Sequence, residues 1–281
     1  MTVLVDLSQA LEIIRLTDVG QMREHNEDVV ASDNAIGLVV LADGMGGYKA
    51  GEVASEMACL SIMAELREKM LKADNLTPTI QTDMQWIQTA VANANQAIYQ
   101  VSQSVPQCAG MGTTLVVGLF TDNKLLVGHI GDSRMYRLRQ QQLVQITEDH
   151  SLLQEQIKAG LITLEQAKVS ANKNLVTRAV GIDPEVALEL HEHEVELADI
   201  YLVCSDGLTD LVEDSVIEST LNILSTNLTE AAKVLVQLAN ENGGKDNISV
   251  ILVRINQGFE RKPTSYHSFS WYDNLKQWFK Q

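Results

Sequence analysis

Four apolar, strand-like segments of this chain each meet an aspartate at one end, and each aspartate is close to glycine. The segments and their aspartates are 36–42 with Asp43, 125–130 with Asp132, 201–204 with Asp206 and 248–253 with Asp246. An apolar run bounded by a glycine-containing turn is typical of a buried strand. The pattern therefore predicts four buried strands, each of which presents one carboxylate at its end.

A single Asp-Gly pair after a strand is weak evidence for function, because aspartate and glycine are ordinary turn residues. Four carboxylates brought together are different, since they repel one another unless a cation lies between them. Mg²⁺ and similar hard cations prefer oxygen ligands and retain several waters. The four aspartates are therefore predicted to form a metal site.

Composition predicts one acidic globular domain. Of the 281 residues, 45% are hydrophobic and 21% charged, and no linker-like stretch divides the chain before about residue 257. The formal net charge of −16 disfavours binding to nucleic acid or anionic membranes. The three cysteines are widely spaced, which indicates buried thiols in a reducing compartment: Cys59, Cys108 and Cys204. Because the chain has neither a basic N-terminal flank nor a long apolar span, we expect a cytoplasmic protein. We also expect it to be a monomer.

Hydrophobic periodicity predicts an α+β fold. Strands are predicted near 12–17, 28–32, 36–42, 113–120, 124–130, 134–138, 143–146, 186–190, 200–204 and 248–255, and long helices at 49–72, 83–103 and 228–241. Because the strands follow one another in blocks, an antiparallel sandwich covered by helices is favoured over a doubly wound parallel sheet. The segment between 147 and 182 is predicted to hold short helices at 150–159, 163–169 and 172–180. It forms either a mobile insertion over a site or an extra helical layer.

Six short motifs occur in one order along the chain. They are 15–28 (RLTDVGQMREHNED), 42–47 (ADGMGG), 110–114 (GMGTT), 131–134 (GDSR), 205–207 (SDG) and 244–247 (GKDN). Together they resemble the motifs of the metal-dependent serine/threonine phosphatases, the type 2C protein phosphatase family. The resemblance covers about residues 12–256, so we expect a catalytic domain over 1–256 with a flap at about 147–182. It implies a central antiparallel β-sandwich flanked by helices on both faces.

The resemblance also implies an activity and a set of ligands. The activity is hydrolysis of phosphoserine and phosphothreonine in proteins by a water or hydroxide that bridges two Mn²⁺ or Mg²⁺ ions, which reverses signalling by a Ser/Thr kinase in a bacterium. Asp43 would bridge the two ions, Asp206 and Asp246 would complete the first, and the Gly44 carbonyl would bind the second. Glu27 and Asp28 would act mainly through bound waters. A third, weaker ion would be held by Asp132, with Asp206 shared.

The chemistry of the residues agrees with this assignment. Two adjacent cations can activate a water and hold a phosphate for in-line attack, so no protein nucleophile is needed. Consistent with this, the chain has no Gly-x-Ser-x-Gly motif and no arginine spaced correctly after Cys108 or Cys204 for a cysteine phosphatase. Arg23 matches the phosphate-binding arginine of the family, and a guanidinium fork suits phosphate oxygens. Outside that motif, Arg23 would be interpreted as a surface arginine paired with Glu27.

One position departs from many relatives. Where they have a histidine that is a candidate general acid for the leaving alcohol, this chain has Met45, which cannot donate a proton. His25, His129 and His150 remain candidates, although each is more simply interpreted as a structural or surface residue. In the flap, Asp149 is interpreted as the N-cap of the helix that follows it.

Three other functions are weaker. A dinucleotide-binding loop at 43–47 lacks the required glycine spacing, and a nuclease is disfavoured by the acidity and the lack of a basic groove. A catalytically weak, metal-dependent phosphopeptide-binding module would be expected to lose a core ligand, yet Asp43, Asp206 and Asp246 are all present.

The C-terminal segment 257–281 lies outside the resemblance and is interpreted as a linker plus an aromatic tail. Its aromatic and leucine residues fit one helical face, which predicts docking onto a partner or a membrane surface through 269–280: Trp271, Leu275, Trp278 and Phe279. Packing of this tail back onto the domain is an equal alternative.

Overall fold

Two antiparallel sheets pack face to face, and helices cover both outer faces. The computed structural model describes residues 6–47, 50–72, 79–163, 166 and 175–261. Its strands are β1 Leu11–Asp18, β2 Asp28–Asp33, β3 Leu38–Met45, β4 Gly112–Thr113, β5 Leu115–Thr121, β6 Lys124–Ile130, β7 Arg134–Arg139, β8 Gln142–Gln145, β9 Glu189–Glu194, β10 Ile200–Cys204 and β11 Ile248–Ile255. Its helices are α1 Ala50–Lys72, α2 Ile80–Ser104, α3 Leu152–Lys158, α4 Asp206–Thr209, α5 Asp214–Ile223 and α6 Leu228–Glu241, with a 3₁₀ turn at Pro106–Cys108.

The strand order explains why the apolar runs are continuous. One sheet has the order β1-β11-β10-β7-β8, and the other has the order β2-β3-β5-β6-β9, with β4 paired to β3. The central strands are covered on both faces, so both sets of alternating side chains are buried. In β3, Val39 and Leu41 pack between the sheets, whereas Leu38 and Val40 pack against helices.

The helices form two outer layers. The apolar faces of α1 and α2 pack on the β3-containing sheet, and those of α5 and α6 pack on the sheet that contains β10 and β11. Side chains cap two of these helices: Thr79 accepts a hydrogen bond from the Thr82 amide at the start of α2, and Asn227 accepts one from the Glu230 amide at the start of α6. The predicted α+β sandwich with helices on both faces is therefore confirmed.

The structure corrects two local predictions. The run predicted as one strand over 113–120 is divided at Thr114, whose hydroxyl accepts a hydrogen bond from the Asp43 amide. The helix predicted over 172–180 is wrong for residues 175–180, because their backbone pairs elsewhere, Val176 with Ser151 and Val180 with Thr113. Residues 171–174, like 164–165 and 167–170, lie outside the described residues.

The chain stays packed on the domain beyond residue 256. Phe259 is buried and meets Phe120 edge to face at a centroid distance of 6.5 Å. The Arg261 guanidinium pairs with the fully buried Asp83. Residues 257–261 therefore differ from the linker expected there. The tail prediction for 269–280 lies outside the described residues.

Within the described ranges, no helix has the length and apolar character needed to cross a membrane.

Candidate metal centre

Five aspartates from separate elements face one another at one end of the sandwich, and we call them the acidic centre: Asp28, Asp43, Asp132, Asp206 and Asp246. Asp28 and Asp43 are directly opposite each other across the β2–β3 ladder. Asp206 begins α4 and is separated from the end of β10 only by Ser205, and Asp246 lies two residues before β11. Since β10 and β11 are antiparallel neighbours, the end of one strand meets the start of the other. The predicted convergence of the four strand-end acids thus has a simple basis in topology.

Burial and mutual repulsion dominate the electrostatics of this centre. Burial, followed by repulsion from Asp28 and Asp206, raises the pKa of Asp43 well above its usual range. The pKa of Asp206 is raised in the same way, by burial and then by the charges of Asp132 and Asp246. Burial also raises the pKa of Asp28 to about 6, although hydrogen bonds from Ser249 and Ser205 oppose the shift. Such shifts mark carboxylates that lack enough positive charge around them.

Asp132 belongs to the same electrostatic group. Burial, followed by repulsion from Asp149, raises its pKa to about 6, and its residue is 8% exposed. It follows β6 across Gly131, a turn glycine with a φ of 101°. Its charge in turn contributes to the raised pKa values of Asp43 and Asp206.

The donor set of the acidic centre fits hard divalent cations. One oxygen of Asp28 and one of Asp206, Oδ1 in each case, is buried and has no hydrogen-bond partner. A buried, unpartnered carboxylate oxygen is costly unless an ion or water binds it. All five side chains offer oxygen, which Mg²⁺ and Mn²⁺ prefer over softer ions. The donor atoms and the charge of the centre therefore suit the two-ion site expected from the sequence.

Arg23 lies at the rim of this centre. Its Nη2 is 2.7 Å from Oδ2 of Asp246, and its side chain is 49% exposed. The Arg23 guanidinium therefore pairs with Asp246, a predicted metal ligand, and not with Glu27 as the alternative interpretation had it. Glu27 lies close by. Burial raises its pKa above the ordinary value, although the charge of Arg23 opposes this shift.

Backbone crowding places Glu27 and Gly44. The Gly44 amide donates to the Glu27 carbonyl at 3.0 Å. A side chain at Gly44 would collide with the Gly51 and Glu27 carbonyl oxygens, and one at Gly51 would collide with the Glu27 carboxylate. Glycine is therefore required where β3 passes the start of α1, and this close approach holds the Glu27 side chain beside the centre.

Sequence reasoning missed the residues that position the acids. Asn247 accepts a hydrogen bond from the Glu27 amide and donates to the carbonyls of Val19 and His25, while its amide donates to Asp246. Asn247 thus ties both ends of the loop that carries Arg23, between β1 and β2, to the start of β11. Its place directly after Asp246 in the 244–247 motif was the signal that could have identified it.

Hydroxyl groups perform the same task for the other acids. Ser205 donates to Asp28 at 2.8 Å. Thr113 donates to the Asp43 carbonyl at 2.8 Å, and Thr114 accepts from the Asp43 amide and hydrogen-bonds with Ser133. These contacts explain why hydroxyl residues occupy the 110–114, 131–134 and 205–207 motifs.

The three histidines considered as general acids, His25, His129 and His150, make their contacts with groups other than the five aspartates. The rings of His129 and His150 stack on each other, and the His150 ring lies 3.2 Å from Glu189. His25 is exposed, and its backbone carbonyl is the group that Asn247 binds. Met45 is the residue beside Gly44 in β3.

Asp149 does not cap the following helix, contrary to the sequence interpretation. Ser151 is the N-cap of α3, where its side chain accepts from the Gln154 amide. Asp149 instead forms a bidentate ion pair with Arg134, with distances of 2.6 to 3.0 Å. This pair fixes the start of the 147–182 flap to β7.

Comparison with known proteins gives matches over most of the chain. Residues 20–241 match the profile of the family described as Protein phosphatase 2C. The serine/threonine phosphatase stp of Listeria monocytogenes is 38% identical over 242 residues, which cover 84% of this chain and 93% of the relative.

Two solved structures have the same fold. The serine/threonine phosphatase PstP/Ppp of Mycobacterium tuberculosis superimposes with a TM-score of 0.78 at 37% identity, covering 88% of this chain and 99% of that one. The catalytic domain of PstP in complex with two manganese ions superimposes with a TM-score of 0.76 at 38% identity, again covering 88% and 99%.

Proposed function

This chain belongs to the protein phosphatase 2C family, and we propose that the acidic centre is where it removes phosphate from proteins. The chain is a metal-dependent protein serine/threonine phosphatase. The observation that supports this location is the convergence of buried and half-buried carboxylates, of which Asp43 and Asp206 have pKa values raised by burial and by neighbouring acids.

We assign the ligands as the sequence predicted them. Asp43, Asp206 and Asp246 would hold the first ion, and Asp43 and the Gly44 carbonyl would hold the second. The unpartnered Oδ1 of Asp206 is the free ligand atom expected of this role. Mn²⁺ or Mg²⁺ held by these residues would supply the activation of water and the withdrawal of charge from the phosphate.

The remaining acids have supporting roles in this proposal. Asp28 and Glu27 orient water at the edge of the centre. Asp132, with Asp206, provides the accessory third site. The alternative of a weak phosphopeptide-binding module is disfavoured, because each core acid lies in the centre.

Arg23 binds the substrate phosphate. Its guanidinium is half exposed and already oriented toward the centre by Asp246. A phosphate dianion is the stronger partner for this fork, so substrate draws the guanidinium from the carboxylate and leaves Asp246 free as a ligand. Phosphate binding and ligand release are thus coupled through one side chain.

The substrates are phosphorylated proteins, and we propose that a Ser/Thr kinase produces them. Monomeric state, cytoplasmic location and partner docking through 269–280 stay predictions from the sequence.

The test is hydrolysis of a phosphothreonine peptide with Mn²⁺ and after chelation. We expect turnover only with metal, loss of turnover in Asp206→Ala, and a raised KM in Arg23→Ala with a smaller change in kcat. Asp210→Ala and Arg15→Ala are matched controls, since both side chains are exposed and lie outside the assigned set. Metal-independent turnover, or full activity in Asp206→Ala, would contradict the proposal.

A further inference from the structure

Four of the six histidines lie at the edge strand β9. His191 and His193 are in β9, and His129 is on the paired strand β6. His150 contacts the side chain of Glu189 in β9. Three of them surround one carboxylate, that of Glu189. We call the group His129, His150, Glu189 and His191 the histidine cluster. None of these residues is used by the acidic centre.

The strand register builds the cluster. His129 on β6 is directly opposite Glu189 on β9, and Val127 is opposite His191. Directly paired and alternate residues share one face of a sheet, so these side chains point the same way. His150 joins them from the flap, because its backbone amide donates to the Gly131 carbonyl at 2.9 Å.

The side chains are spaced as metal ligands are. His129, His150 and Glu189 each offer one ligand atom, and these three atoms all lie within 4.8 Å of one another. Nε2 of His150 is 3.2 Å from Oε2 of Glu189, and Nε2 of His191 is 2.8 Å from Oε1. A tetrahedral zinc ion with bonds of about 2.0–2.1 Å separates neighbouring ligand atoms by roughly 3.3 Å.

His129 carries an unused lone pair. Its Nε2 lies 2.7 Å from the Glu148 carbonyl oxygen, which can only accept, so Nε2 holds the proton. Nδ1 is therefore unprotonated, and it is buried without a hydrogen-bond partner in a residue that is 1% exposed. Zinc-binding histidines typically donate their second ring nitrogen to a carbonyl or carboxylate in this way.

The protonation states also suit a metal ion. Burial lowers the pKa of His129, which keeps its imidazole neutral. Although partial burial opposes it, hydrogen bonding from His191 and His150 lowers the pKa of Glu189 to about 2. The cluster thus combines a neutral nitrogen donor with an ionised carboxylate, which is the state in which both bind metals.

Binding of an ion would require three adjustments. Nδ1 of His150 accepts a hydrogen bond from the Gly131 amide at 3.2 Å, so the His150 ring would have to release this amide and move its proton from Nε2 to Nδ1 before Nε2 could bind an ion. The His129 and His150 rings stack at a centroid distance of 4.7 Å and an angle of 16°, so one ring would have to turn to direct its lone pair at a shared ion. The exposed Arg178, whose Nη1 is 3.4 Å from Nε2 of His150, would have to move into solvent as the positive ion entered.

We propose that the histidine cluster binds a Zn²⁺ ion at a site separate from the acidic centre. Imidazole ligands favour Zn²⁺ and similar transition metals, whereas Mg²⁺ and Mn²⁺ prefer the oxygen-only centre. The ion would join β6, β9 and the base of the flap. Zinc would therefore stabilise the position from which the flap leaves the sandwich.

The experiment measures zinc alone on the full chain, with excess Mg²⁺ present to occupy the acidic centre. Equilibrium dialysis with elemental analysis gives the number of bound zinc ions and their affinity. We expect one zinc ion that Mg²⁺ does not displace, bound at least about 10- to 100-fold more weakly in His129→Ala and Glu189→Gln. His25→Ala is the matched control, because His25 is exposed and lies outside the cluster.

Glu189→Gln makes the outcome decisive, since it keeps the size of a partly exposed side chain. This variant should fold even if His129→Ala, which removes a buried ring, does not. Unchanged zinc binding in Glu189→Gln would overturn the proposal, as would an equal loss in His25→Ala. Replacement of zinc by Co²⁺ supplies a second measurement: a nitrogen-containing tetrahedral site gives intense visible absorption that the variant should lack.

Discussion

The acidic centre and the histidine cluster are two collections of titratable groups in one sandwich, and they are built on opposite principles. In the centre, burial and like charge raise the pKa values of Asp43 and Asp206, so its side chains need cations. In the cluster, burial lowers the pKa of His129 and hydrogen bonds keep Glu189 ionised. The first collection suits hard ions with oxygen ligands, and the second suits a softer ion. Ligand type, more than position in the fold, thus determines which metal each site selects.

The largest expected effect separates the two sites by function. Asp43→Asn removes the charge of the bridging ligand, and we expect turnover of a phosphothreonine peptide to fall by at least about 1000-fold, since metal ions supply several kcal/mol of transition-state stabilisation. Zinc binding at the histidine cluster should not change. Steady-state kinetics and dialysis on the same protein sample check both statements.

The control for this variant is Asp210→Asn. Asp210 is exposed but its charge acts on Asp206 and Asp132, so Asp210→Asn removes a charge that acts on the centre without removing a ligand. We expect its turnover to remain within a few-fold of the parent. Parallel losses of turnover and zinc in Asp43→Asn would show that the two sites are one system.

The next effect is the pH dependence of stability in the metal-free protein. The pKa values of Asp28 and Asp132 in the folded state are about 6, above the ordinary value of 3.8. Each group therefore contributes stability that is fully present below about pH 4 and is lost as pH rises through about 6. Between pH 5 and pH 7.5 we expect a loss of roughly 1 kcal/mol per group, seen by calorimetry as a melting temperature several degrees lower.

The histidine cluster acts with the opposite sign. The folded pKa of His129 is lowered, so its contribution is present at neutral pH and is lost as pH falls. Asp28→Asn should therefore reduce the pH dependence, or reverse it if the histidine contribution is the larger. A metal-free protein that is more stable at pH 7.5 than at pH 5 would contradict the dominance of the acids.

The acidic centre could be predicted from the sequence because its chemistry lies where strands end. Asp43 and Asp206 each follow an apolar run, and the antiparallel pairing of β10 with β11 brings Asp206 near Asp246. The exceptions were backbone details. Thr114 interrupts the predicted strand because its hydroxyl binds the Asp43 amide, and no periodicity signals a contact between residues 71 positions apart.

The histidine cluster could not be predicted, for a physical reason. His129 and Glu189 are brought together only by the β6–β9 register, and a shift of one residue would turn Glu189 to the other face. The same limit applies to Phe259, whose burial depends on the distant ring of Phe120. Local patterns specify elements, whereas these contacts depend on which elements become neighbours.

The smallest expected effect tests whether the Ser205 hydroxyl positions Asp28 in the acidic centre. Ser205 donates to Oδ2 of Asp28 and accepts from the Ser249 amide, so Ser205→Ala leaves that buried amide without this acceptor and Asp28 without this donor. We expect the metal-free protein to lose about 1–2 kcal/mol at pH 7.5 and half-maximal activation to need roughly 10-fold more Mn²⁺. Chemical denaturation and Mn²⁺ titration of activity measure the two quantities.

Ser219→Ala is the matched control, because the exposed Ser219 hydroxyl donates only to the carbonyl of Ser215 within α5. Its stability should stay within about 0.5 kcal/mol of the parent, and neither variant should change zinc binding. If Ser205→Ala shifted the Mn²⁺ requirement no more than Ser219→Ala, Asp28 would not depend on this hydroxyl for its place beside Asp43. Support of the centre would then rest on the backbone pairing of β2 with β3.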